Sequence, residues 1–128
     1  GPTHPVYVAV MLGLMLLGIG VCWLLVPTQA APLIGMELLT GVAQNSQVGD
    51  LGAFFFVAGA FALLGLYTGN ATLLYTPAAL VGAAAVLRIV TAAFHGGEFS
   101  SEVIRMIVLE LVMCRLFLMA RKRVASTQ

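Results

Sequence analysis

Four long apolar stretches, about Pro5 to Val26, Gly49 to Thr68, Ala71 to Phe94 and Ser101 to Ala120, take up most of the chain. Each approaches the roughly 20 residues that a helix needs to cross the hydrocarbon core of a bilayer. A backbone in lipid must satisfy its own N–H and C=O groups, and unbroken apolar runs of this length do so as helices. Composition agrees: 61% of residues are hydrophobic and 9% charged, whereas soluble domains carry roughly a quarter of their residues as Asp, Glu, Lys and Arg. The expected fold is all-α: an integral membrane four-helix bundle with the N and C termini on the same side. A single four-span domain over residues 3–128 leaves no room for a soluble catalytic domain. Gly1-Pro2 opens the chain without a methionine and reads as the remnant of a cleaved tag. The first apolar run has no Lys or Arg before it and is long for a signal-peptide core, so it is expected to be a retained span.

Punctuation between the runs sets the connections. Pro27 stops span one, because proline cannot continue the helical ladder. Tyr7 and Trp23, near its two ends, are expected at the headgroup boundaries, where amphipathic rings are favoured. Thr28 to Val48 is rich in Pro, Gln, Asn, Ser and Gly and forms the only long loop, with a short interfacial or re-entrant helix expected near Leu33 to Leu39. The Tyr67-Thr68-Gly69-Asn70 tip predicts a tight reversal, making spans two and three an antiparallel hairpin. Small residues on both, including Gly52, Gly59 and Ala62 against Ala78, Gly82 and Ala85, predict close helix approach. Pro77 is expected to tilt or kink span three. His95-Gly96-Gly97 breaks the helix, and Ser100 or Ser101 can cap the next one.

Charge is sparse and balanced: six Lys and Arg against five Asp and Glu. No basic field exists to hold DNA or RNA, so nucleic acid is not an expected partner. Arg121-Lys122-Arg123 is the one cationic cluster, and the positive-inside rule assigns that end to the cytoplasm. Arg115 is expected to snorkel toward the same boundary. Cys22 and Cys114 lie near opposite ends of their spans and belong to no CxxC pair, so they are expected as separate thiols.

Ionised residues inside apolar segments carry the most information, since each costs on the order of 2.5 to 3.5 kcal/mol at the bilayer centre on insertion scales. Arg88, Thr91 and His95 share one face of span three at about 100° per residue. Glu98, Glu102 and Arg105 form a similar stripe if the fourth helix extends back to Glu98, with Glu110 deeper. At about 1.5 Å per residue, Arg88 and Glu110 fall at the same depth, so they are expected to pair inside the bundle. Asp50, His95, Glu102 and Arg105 would line a polar vestibule above them. Such a cluster serves helix register, or a ligand pocket, or contact with another subunit. One imidazole among carboxylates specifies zinc or copper poorly, so no metal is expected, and no cofactor is implied.

Gly49-Asp50-Leu51-Gly52 with Gly59, Leu87-Arg88, His95-Gly96-Gly97 and Glu110 together resemble the small four-span bacterial membrane proteins grouped with DoxX-like families. The resemblance implies a four-helix bundle in a bacterial inner membrane. Some members are linked to sulfur or quinone redox chemistry, for which this chain lacks a cysteine pair. A looser likeness, in architecture alone, is to four-span sterol isomerases and sterol-binding proteins. The expected function is binding of an amphipathic or lipid-like small molecule in a cavity of the extracytoplasmic half, polar at Asp50, Arg88, His95, Glu102, Arg105 and Glu110. Phe54, Phe55 and Phe94 are candidates for contact with its apolar body. The alternatives are an intramembrane acid-base enzyme on a lipid-like substrate, using His95 or an acid, and a non-catalytic subunit of a larger membrane complex or homo-oligomer.

Overall fold

A computed structural model describes residues 3–127; the cleavage remnant assigned to Gly1-Pro2 lies outside them. The described chain is helical throughout: α1 (His4–Leu25), α2 (Pro27–Ala30), a 3-10 turn (Ala31–Ile34), α3 (Gly41–Thr68), a second 3-10 turn (Ala71–Leu74), α4 (Tyr75–Phe94) and α5 (Ser101–Ala125). Val26 leaves helical geometry at φ −138° and ψ 62°, as expected of a residue before proline. Gly69 then turns the α3 exit at φ 70°. Asn70 Oδ1 accepts from the Thr72 N–H at 3.2 Å to start the second 3-10 turn.

Three helical segments, His4–Leu25, Gly41–Thr68 and Ala71–Phe94, are long and apolar enough to cross a membrane. This corrects the expectation of four such segments. α5 has the length, but Glu102, Arg105, Glu110, Arg115, Arg121, Lys122 and Arg123 all fall within it. Its ends are nevertheless well made. The Ser100 side chain caps it by accepting from the Val103 N–H, Glu102 occupies the first turn and Lys122 and Arg123 the last, all matching the helix dipole. α5 runs on to Ala125, so the cationic cluster is helical.

Two further boundaries differ from the sequence reading. α3 begins at Gly41 rather than near Gly49, because the polar run Gln44 to Gln47 is a helical extension. Its Gln47 is buried and holds the preceding extended strand of chain: the side-chain oxygen accepts from the Leu39 N–H at 2.9 Å, and Nε2 donates to the Glu37 carbonyl at 3.0 Å and toward Met36 Sδ at 3.7 Å. The helical piece of the loop is Pro27–Ala30 with its following turn, upstream of the apolar segment expected to carry it. Pro77 lies in the first turn of α4, where a missing N–H costs no intrahelical bond.

The helices associate as two close pairs, α1 with α3 and α4 with α5, joined by α1–α5 and α3–α4 contacts. The α1–α3 seam depends on glycine. A Cβ on Gly59 would collide with the Leu17 N and come within 2.7 Å of the Gly13 carbonyl oxygen, and one on Gly20 would lie 2.7 Å from the Phe56 N. The small residues of α3 thus seat α1, more than the hairpin partner α4 that the sequence suggested. Trp23, near the end of α1, is fully buried, with its Cβ against Gly52. Tyr7 is exposed. Apolar side chains fill the outside as well as the core: Met11 is 68% and Leu24 75% exposed, an exterior suited to hydrocarbon rather than water.

Because backbone atoms oppose them, Gly59→Ala and Gly20→Ala should each lower stability by about 1–3 kcal/mol. Gly18 has open space beside it, so Gly18→Ala should be neutral or stabilising. Thermal unfolding of the three variants in detergent checks the ranking. Gln47→Leu leaves the Leu39 N–H without its acceptor and should cost roughly 1–3 kcal/mol, read out as faster proteolysis between residues 36 and 40.

Candidate functional site

Arg88, on α4, and Glu110, on α5, meet across the helix pair. Arg88 Nε donates to Glu110 Oε1 at 2.8 Å, and Nη2 reaches Oε2 at 3.5 Å. The two-pronged geometry fixes the guanidinium plane against the carboxylate, which a lysine could not do. Both residues occupy helix positions that turn toward the neighbouring helix. Glu110 is flanked a turn away by buried Ile107 and Met113, and Arg88 follows buried Ala85. The Glu110 side chain is 11% exposed and that of Arg88 30%. The carboxylate is therefore enclosed, while the guanidinium reaches the surface of the helix pair.

That partial exposure gives the pair an outlet. Arg88 lines an open cleft of about 330 Å³ with Leu87, Thr91, Gly97, Glu98 and Val103. The floor of the cleft is built by the α4 exit turn. The Thr91 carbonyl accepts from both the His95 and Gly97 N–H groups at 3.0 Å, and Gly96 turns at φ 68°. Gly97 passes so close that a Cβ there would lie 2.7 Å from Thr91 Cγ2. The turn thus brings Glu98 beside the guanidinium's cleft. The remaining N–H donors of Arg88 have no acceptor among the described residues, so a carboxylate, phosphate or carbonyl oxygen entering the cleft would find them.

The other polar residues singled out from the sequence stand apart from this cleft. Asp50 is exposed on α3, His95 is exposed at the end of α4, and Arg105 is exposed on α5. The Glu102 carboxylate lies beside Gly35 in the long loop, with Oε1 3.0 Å from where a Cβ would stand. None of the four has an ion-pair partner among the described residues, and none lines the Arg88 cleft. Asp50, His95, Glu98 and Glu102 do not converge as a metal-holding group among those residues. Phe54 and Phe55 stack edge to face at 5.1 Å on α3. Neither they nor Phe94 lines the Arg88 cleft.

Thr91 and Glu98 line the cleft together, and the sequence stripes had assigned them to separate helices. Glu98 precedes α5 and its Ser100 cap, so the fourth-helix stripe does not reach it. The chemistry available is binding and orientation of a neutral polar head, a carbonyl oxygen accepting from a guanidinium whose charge is already balanced and a hydroxyl donating to Glu98. Breaking the pair by Glu110→Gln strands the arginine charge and should cost on the order of 3 kcal/mol, whereas the double change Arg88→Met with Glu110→Leu should cost far less. Melting temperatures of the two variants against the parent decide this. Equal losses would mean the pair contributes little beyond shape.

Comparison of the chain with protein-family models, with curated proteins and with solved structures finds no match.

Proposed function

We propose that this chain is a small integral membrane protein that binds an amphipathic molecule by its polar head at the Arg88–Glu110 pair. The observation that carries the proposal is a guanidinium held on one side by Glu110 and open on the other to a cleft of about 330 Å³. That volume is at the low end of the range for ligand pockets, about 300–1,000 Å³. It admits a head group and leaves the tail to run along Leu87 and Val103 into surrounding lipid. Asp50, His95, Glu102 and Arg105 would act from the exposed surface, keeping polar groups at the level of the head.

In this reading α5 crosses the bilayer with the three more apolar segments, as a four-helix bundle. Its most enclosed charge, Glu110, crosses already paired. The cluster Arg121-Lys122-Arg123 supports cytoplasmic termini. Pro5 of α1 lines a cleft with Lys122 and Ser126, which supports a shared face for the two ends. The DoxX-like resemblance favours a bacterial inner membrane. A second reading, an accessory subunit, draws on the exposed Glu102 and Arg105 of α5: a partner helix carrying complementary charge would cover them.

Titration of the purified protein in neutral detergent with a long-chain monoacylglycerol, whose ester carbonyl can accept from Arg88 and whose hydroxyls can donate to Glu98, tests the binding role. Saturable binding is expected in the parent and its loss in the Arg88→Met, Glu110→Leu variant. Unchanged binding in that variant overturns the assignment. Purification as a stable complex with a second membrane protein, with no monoacylglycerol binding, would favour the subunit reading.

A further inference from the structure

At the opposite end of the α4–α5 pair from Glu98, a second cleft of about 540 Å³ opens where α4 begins and α5 ends. Tyr75, Leu111, Arg115, Leu118, Arg121 and Lys122 are among its lining residues. We propose that it is a binding site for an anionic phospholipid, with the phosphate held by Arg115, Arg121 and Lys122 and an acyl chain laid along Leu111 and Leu118. The proposal rests on the membrane reading above but not on any ligand at Arg88.

Three observations carry it. The first is charge: three cations line the cleft with no carboxylate among its lining residues. Arg115 and Lys122 are exposed and have no protein acceptor among the described residues. The second is depth. Leu111, Arg115, Leu118 and Lys122 fall on one face of α5 at about 100° per residue, so cation and hydrocarbon alternate down a single stripe. Arg115 starts roughly 9 Å below Arg121 at about 1.5 Å per residue. Helical side chains lean toward their own N-terminus, which for Arg115 means away from the cationic end of α5. Snorkelling to that boundary works against this lean, whereas a phosphate drawn down between Arg115 and Lys122 gives both a charged hydrogen-bond acceptor where they stand. The third is the aromatic wall: the Arg121 guanidinium lies over the Tyr75 ring at 4.8 Å. The ring thereby holds the guanidinium at the cleft, where its N–H donors can meet an oxygen anion.

A free phosphate would satisfy the cations alone. Leu111 and Leu118, on either side of Arg115 along the same face, are suited to an acyl chain, and this commits the site to a lipid. Basic pockets between membrane helices at a bilayer surface take anionic headgroups on the same physical grounds.

Native mass spectrometry of the full chain, equilibrated in detergent with equal amounts of phosphatidylglycerol and phosphatidylcholine, tests the site. The parent should retain phosphatidylglycerol preferentially, and Arg115→Gln and Lys122→Gln should each reduce that preference by roughly fivefold. Arg123→Gln removes the same charge from the same helix end, but Arg123 lines the neighbouring cleft and not this one, whereas Lys122 lines both, so this substitution should change the preference much less. Water-soluble glycerol phosphate should not displace the lipid. Equal retention of both lipids, an Arg123→Gln effect as large as that of Arg115→Gln, or displacement by glycerol phosphate would each overturn the proposal. If Arg115→Gln does not fold, Arg121→Gln carries the test, since Arg121 lines this cleft beside Tyr75 and not the neighbouring one. The Arg88→Met, Glu110→Leu variant should keep its phosphatidylglycerol preference, which separates failure of this site from failure of the Arg88 site.

Discussion

A carboxylate enclosed in an apolar helix pair has to be answered by a cation, and Glu110 is answered by Arg88. The requirement fixes more than two side chains. It sets the axial register of α4 against α5, because sliding either helix by one turn would strand both charges. It also fixes their facing rotation, since the two-pronged contact needs the guanidinium plane aligned with the carboxylate. Gly82 of α4 then lies against Cys114 of α5, where a Cβ would stand 3.2 Å from the sulfur. The cleft beside Arg88 and the cationic cleft at the other end both follow from this register.

The α1–α3 pair solves association differently. It has no charge to match, and apolar side chains gain little by leaving lipid for one another. What remains is dispersion at very short range, which Gly13, Gly20 and Gly59 permit by letting backbones touch. The structure thus joins one helix pair held by shape to another held by charge. Their shared core is small: Leu16, Trp23, Leu74, Val81 and Phe117 are its largest fully buried aliphatic and aromatic side chains.

Spacing made Arg88 and Glu110 legible in the sequence, because two opposite charges at one level of adjoining, largely apolar helices have few alternatives. The turn at Gly69-Asn70 and the Ser100 cap were legible for similar reasons, each being a local chemistry with one purpose. Partner choice was not. The small residues of α3 mark a surface for close approach without saying which helix takes it, and α1 does so more than α4. Nor does composition show that Gln47 belongs to a helix: its polarity suggests loop, and only the Leu39 and Glu37 backbone groups explain its burial. The loop side of the Arg88 cleft was hidden too, since Glu98 reaches it through a turn rather than through a helix period. The full burial of Trp23, with its Cβ against Gly52, was not legible either, because the average behaviour of tryptophan near helix ends says nothing of which neighbour encloses it.

The burial of Trp23 has an optical consequence. Trp23 is the sole tryptophan, and its indole nitrogen is buried with no hydrogen-bond partner among the described residues. Emission excited at the red edge of protein absorbance therefore originates at one point, inside the seam between α1 and α3. Its colour reports whether those two helices are still in register, independently of what happens between α4 and α5.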